Sequence, residues 1–138
     1  MAILSNINPN RPQRGKRSVR LSGEASPQEI PLSAGTVVLI ANGSGTTFTL
    51  ANGQEGQMMT FVASSNGAGN INDIRVSCRV RSAFDSGDPV KRITGIGGID
   101  GIAQWAPFNA TQEHSMAWAV FTEGEWCWSQ GTDETPAP

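Results

Sequence analysis

Charge is scarce in this chain: only 16% of its 138 residues are Asp, Glu, Lys or Arg, and the formal net charge is −2. Solvated helices need Lys and Glu along their outer faces, so a mainly helical protein is not expected. Histidine occurs once, at His114, which excludes a His-rich metal centre. The two cysteines, Cys78 and Cys127, lie far apart with no Cys or His at ligand spacing. Both fall inside expected strands, where a free cysteine behaves as a small buried hydrophobe. The alternative, a disulfide between neighbouring strands, needs an oxidising compartment. No apolar run approaches the roughly 20 residues that span a bilayer. Residues 1–7 place no basic residue ahead of a long apolar stretch, so no secretory signal is expected. The chain reads as a soluble protein made in the cytosol, with no membrane partner, and the sequons at Asn42 and Asn109 would matter only after secretion.

Glycine, by contrast, is abundant at 16 residues, and it is concentrated where strands would need to turn. Residues 36–80 hold four short runs rich in apolar and β-branched side chains, separated by clusters of Gly, Asn and Ser. Such clusters supply positive φ angles and side-chain-to-backbone hydrogen bonds that reverse a chain. The expectation is an antiparallel β-meander, with Asn52-Gly53 as one of its turns. The unbroken run Val37 to Ile40 suggests a strand covered on both faces. In the most regular strand, Ile74, Val76, Cys78 and Val80 share one face, and Arg75, Ser77, Arg79 and Arg81 the other. Arg75, Arg79 and Arg81 thus form either a solvated outer face, a subunit contact or an anion-binding stripe.

Residues 1–29 differ from the remainder. They carry Pro9, Pro12 and Pro27 together with Arg11, Arg14, Lys16, Arg17 and Arg20. The balance is +3 up to Ile30 and −5 from Pro31 onward, so a basic segment precedes an acidic body. Pro disfavours regular helix, and apolar surface is sparse, so an extended N-terminal arm is expected over 1–29. It is either solvated or ordered on an acidic protein surface. Specific nucleic-acid binding is not expected, because no aromatic residue is interleaved with the cations. The β-domain then covers 30–130, and 131–138 is a flexible polar tail.

Toward the C-terminus, residues 102–108 form an expected strand around Trp105. Residues 115–122 place Met116, Trp118 and Val120 on one face and Ala117, Ala119 and Phe121 on the other. Glu123-Gly124 turns this strand into the next, on which Trp126 and Trp128 share a face. A strand apolar on both sides is either central in a sandwich or exposed to a symmetry mate. The chemistry-bearing groups do not assemble. Asp85 and Asp88 lack the alternating oxygens and closing Glu of a calcium loop. The Gly95–Gly101 run has Asp100 where a dinucleotide loop needs its third glycine. His114 has no nucleophile-elbow motif to serve, and Glu123 and Glu125 flank a tight turn. No enzyme activity, cofactor or metal is expected.

The Leu50–Val62 segment, LANGQEGQMMTFV, the Gly/Asn-rich loop after it, and the terminal GEWCW are similar to motifs of small all-β domains in tailed-phage structural proteins. The chain resembles capsid cement (decoration) proteins and fibre heads over roughly residues 30–130. That resemblance implies a trimeric, jelly-roll-like antiparallel β-sandwich on the outer surface of the virion, bound to the major capsid protein and stabilising the shell. Docking is then expected from Arg11, Arg14, Lys16, Arg17 and Arg20, and core or trimer packing from Trp105, Trp118, Trp126 and Trp128. The alternative is a fibre domain that stacks host-surface carbohydrate on tryptophan. Such a domain needs at least one indole in solvent.

Overall fold

A computed structural model describes residues 17–25, 27–43, 45–81, 102–108 and 112–134. Over these residues the protein is all-β, with a single 3-10 turn at Ile71–Asp73 and no α-helix among them. The strands are β1 (Arg17–Leu21), β2 (Gln28–Glu29), β3 (Ala34–Ala41), β4 (Thr47–Thr49), β5 (Met58–Ser65), β6 (Arg75–Arg81), β7 (Ile102–Ala106), β8 (Met116–Thr122), β9 (Glu125–Trp128) and β10 (Thr132–Asp133). Their order is β1-β3-β5-β8-β9-β6-β4-β2, with β7 also paired to β6 and β10 to β7, in a sheet curled until nearly closed, like a barrel.

The expected antiparallel meander is not what forms. β1, β3 and β5 are parallel to one another, as are β2, β4 and β6. Consecutive strands therefore alternate between two walls, and the first half of the chain winds as a coil rather than folding back as hairpins. The bend after β3 shows why. A hairpin uses a tight two-residue turn with matched positive φ. Here the positive angles are spaced apart, at Gly43 (80°) and Gly45 (75°). The buried Thr46 ties off the bend, its Oγ1 accepting from Asn42 N (2.9 Å) and donating to Asn42 O (3.2 Å). The chain leaves into the opposite wall as β4. One coil later, residues 66–69 repeat the Asn-Gly-x-Gly pattern of residues 42–45. These corners stack: Asn66 N donates to Ala41 O (3.1 Å), and Asn66 Nδ2 to Asn42 Oδ1 (2.7 Å). Asn52-Gly53 is no turn either. Gly53 lies under the Trp126 indole, and the reversal comes at Glu55-Gly56, closed by Gln57 N donating to Gln54 O (2.8 Å).

The second half is antiparallel. β8 pairs with β5 and then with β9, while β7 pairs with β6 and β10. The β8–β9 turn is the expected one, with Glu123 (φ 54°) and Gly124 (82°) both left-handed. β6 joins the walls, since Val80 and Arg81 pair with Trp126 and Cys127 of β9.

Two expected boundaries move. β1 and β2 lie inside the segment read as an extended arm: Leu21 is buried, and Val19 packs against the core. Alternation decides this, because Val19 and Leu21 turn inward while Ser18 and Arg20 face out. Two inward apolar side chains are enough to seat the strand on β3. At the other end, the expected tail contributes β10, where Thr132 pairs with Ala106 and Asp133 with Trp105. Gly131, at φ 118°, makes that possible by passing over the Trp105 indole where a Cβ would collide.

Aromatic packing holds the core, within the β5-β8-β9 wall and, through Trp105 of β7, across to the other. Trp128 lies 4.9 Å from Phe61 and 6.4 Å from Trp105, ring centre to ring centre, and Phe121 meets Trp126 edge-on at 5.2 Å. Trp105 Nε1 donates to Gln130 O (3.1 Å) and Trp126 Nε1 to Ala51 O (3.0 Å), so two of the buried indoles satisfy their N–H groups. Trp128 Nε1 has no regular hydrogen bond. Beside it, burial pushes the Cys78 thiol up to about 12, an effect tempered by the Trp128 N–H and increased by the Asp133 carboxylate.

Candidate interaction surfaces

The wall made by β1, β3, β5, β8 and β9 carries large apolar side chains on both of its faces. Inward go Val37 and Leu39 of β3, Met59 and Phe61 of β5, and Ala117, Ala119 and Phe121 of β8. Register fixes what faces out. Arg20, Val38, Val62 and Met116 form one row across four strands, and Thr36, Thr60 and Trp118 the next. Met58, Val120 and Cys127 form a third. Met58, Met116 and Trp118 remain 54%, 60% and 50% exposed, so large apolar side chains occupy the middle of a solvent-facing sheet. A scattered exposed hydrophobe is ordinary, but several on adjoining strands of one face mark an interaction surface.

The four tryptophans therefore separate. Trp105, Trp126 and Trp128 are buried core residues, and Trp118 stands outside. The backbone of Trp118 is fixed by Ser129, whose N–H donates to Trp118 O (2.8 Å) and whose Oγ accepts from Trp118 N (3.0 Å). Gln130 Nε2 donates to Met116 O (3.1 Å) close by. The indole thus projects from a rigid antiparallel pair, as an anchor residue should.

The arginine stripe is not a single site. Arg75 is spent locally, its guanidinium donating to Asn72 O (2.6 Å) and Ile74 O (3.1 Å). Arg79 lines an open cleft of about 390 Å³ with Glu29, Thr49, Asn52, Ser77 and Ile102. Arg81 lies opposite Cys127 at the joint of the walls. A second concavity of about 470 Å³ surrounds Gln57, whose amide already donates to Leu32 O (2.8 Å) and accepts from Gln54 N (2.9 Å). Of the basic residues expected to dock, Arg17 and Arg20 stand on β1, and Arg20 is exposed; Arg11, Arg14 and Lys16 lie outside the described residues.

No family model, curated protein or solved structure matches this chain. The surfaces themselves must carry the functional reading. Among the described residues, no three His, Cys, Asp or Glu side chains gather as a metal site. His114 is exposed in a bend with φ 66°, its N–H donating to Ala63 O (2.7 Å). Glu123 is exposed at its turn, where its N–H donates to Glu55 Oε2 (3.0 Å), while Glu125 is buried. The loop with Asp85 and Asp88 and the glycine run 95–101 lie outside the described residues. No disulfide joins Cys78 to Cys127, because Cys78 faces the core and Cys127 the outer row with Val120.

Met116 stands on the apolar β8 face that alternation marks as either central or exposed, whereas nothing in the sequence marks Met58 as a surface group. The available signal was β8 itself, apolar on both sides. What was lacking was the layer that leaves one of those sides uncovered.

Proposed function

We propose that this protein is a non-enzymatic structural subunit of a virion, a capsid cement or decoration protein that assembles as a trimer on the outer surface of a phage head. One observation carries the reading: the exposed Met58/Met116/Trp118 face, on a wall whose inner face already supplies the core. Flexible thioethers around a fixed indole suit contact with another protein surface. In this reading Trp118 packs between subunits, and the basic residues from Arg11 to Arg20 dock on the acidic surface of the major capsid protein. Catalysis, cofactors, specific nucleic acid and membranes play no part.

The exposed Trp118 also meets the requirement of the second reading, a fibre domain stacking carbohydrate. Its neighbours favour protein contact. Its own row brings two hydroxyls, Thr36 and Thr60, but Met116, Val62 and Val120 in the rows on either side offer no hydrogen bonds from their side chains, whereas sugar hydroxyls need several.

Copy number in purified particles, by quantitative mass spectrometry against the shell protein, tests the function. Hundreds of copies in simple ratio to the shell are expected; a handful would transfer the protein to a fibre, and absence would overturn both. The face has its own test in sedimentation. The wild-type chain should sediment as a trimer and Trp118→Asp as a folded monomer whose melting temperature is lowered only by the lost association, since an exposed site away from the core alters the stability of the subunit itself by only about 0.5 kcal/mol. A trimer that survives the substitution would remove Trp118 from the contact.

A further inference from the structure

The curled sheet has two ends, and they are protected differently. Among the described residues, β2 ends the path on one side and β1 on the other, β1 pairing only with β3. β2 is two residues long, Gln28–Glu29, with Pro27 before it and Pro31 shortly after. Proline offers no N–H to a ladder, and short strands give little to pair with, so this edge is closed to a further strand. β1 has neither defence. It is five residues long, without proline, and among the described residues no strand pairs with its outer edge.

The charge at that edge has one sign. Arg20 is exposed, has no ion pair among the described residues, and stands beside Val38 on the outer face. In sequence, residues 11–23 hold Arg11, Arg14, Lys16, Arg17 and Arg20 and no acidic residue. Side chains directly opposite on adjacent strands come within about 5 Å at Cβ, so like charges there repel and opposite charges attract. A second copy placing its own basic β1 against this edge is disfavoured. A segment carrying carboxylates is selected.

We propose that β1 is a strand-addition site, receiving along its free edge an extended, acidic segment of a partner protein. Main-chain hydrogen bonds from β1 supply affinity, and Arg20 supplies the preference for Asp or Glu opposite it. The proposal rests on the docking half of the reading above and specifies how the basic region engages its acidic partner.

The test uses the full chain and three synthetic eight-residue peptides, measured by fluorescence anisotropy and by amide shifts in NMR. One alternates Glu with Val and Thr, one replaces Glu by Lys, and one keeps Glu but is N-methylated at alternate amides. The Glu peptide should bind and shift the amides of residues 17–21. The Lys peptide should bind at least tenfold more weakly, and the N-methylated peptide not at all. Arg20→Glu, at an exposed position, should reverse the preference between Glu and Lys. Equal affinity for the two charges, binding of the N-methylated peptide, no binding of any peptide, or shifts confined to other strands would each overturn the proposal. Self-association that persists in Trp118→Asp and is lost in Arg20→Glu would place a second copy on the edge, overturning it too. Hundreds of copies per particle without peptide binding would leave the cement reading standing and this inference refuted.

Discussion

The parallel coil of β1 to β6 and the antiparallel half of β7 to β10 share one core but are specified in different ways. In the coil, each strand pairs with the strand two places along the chain: Val38 finds Val62, and Phe48 finds Val76. Its corners succeed by stacking, so what fixes them is the space left by the corner before. In the antiparallel half, the β8–β9 hairpin pairs neighbours through a two-residue turn whose backbone angles are set locally at Glu123 and Gly124. Long-range fit governs the coil, and local conformation governs the β8–β9 hairpin, around which β7, β8 and β9 still reach distant partners in β10, β6 and β5.

Two glycine substitutions should expose that difference. At Gly69 an added Cβ would sit 2.6 Å from the Ala41 carbonyl carbon and 2.7 Å from Asn42 N, both backbone atoms of the preceding corner. Neither can swing aside as a side chain would. Gly69→Ala should therefore separate two coils, costing on the order of 3 kcal/mol or more, the range reserved for overpacking and broken hydrogen-bond networks. Urea unfolding would measure it, and a loss under about 1 kcal/mol would mean that the corners are not in close contact.

The seam between the halves titrates. Cys78, on β6, pairs with Ala103 of β7 and has its thiol pushed up to about 12 from 9.0, chiefly by burial. Below pH 9 the thiol is protonated whether the chain is folded or not, and stability is unaffected. Above that, the unfolded chain loses the proton while the folded chain keeps it until about pH 12. Stability should then fall by roughly 1.4 kcal/mol per pH unit between the two values. Urea midpoints from pH 8 to 11 would show the slope, and it should disappear in Cys78→Ala. An identical alkaline slope in that variant would assign the loss to other groups.

How much of this was legible in the sequence follows the same division. Alternation in β6 and β8 was readable, and so was the Glu123-Gly124 hairpin, because each is written in adjacent residues. Trp126 and Trp128 sharing a face followed from the same period of two. The coil was not readable as a coil. Asn-Gly-x-Gly at 42–45 and 66–69 supports a reversal and a crossover equally well, and only the distant partner strand chooses between them. For β1, the prolines and the charge around it outweighed the two inward residues Val19 and Leu21. The candidate surface was half visible: β8 announced an apolar outer face, but burial of Trp105, Trp126 and Trp128 against exposure of Trp118 depends on layers that composition does not encode.

The smallest expected effect sharpens the comparison from the hairpin side. Gly124 has φ 82° but nothing within 4 Å of the position a Cβ would take. Gly124→Ala therefore meets no neighbour, and its cost is conformational alone, about 1–2 kcal/mol for holding an L-residue in the left-handed region. Glu123 already occupies that region at φ 54° without glycine, which shows that the β8–β9 pairing can sustain the strain. Measured beside Gly69→Ala, the substitution separates space from angle as the reason for a glycine. If Gly124→Ala proved as damaging as Gly69→Ala, the hairpin too would have to be held by distant packing, and the division between the halves would collapse.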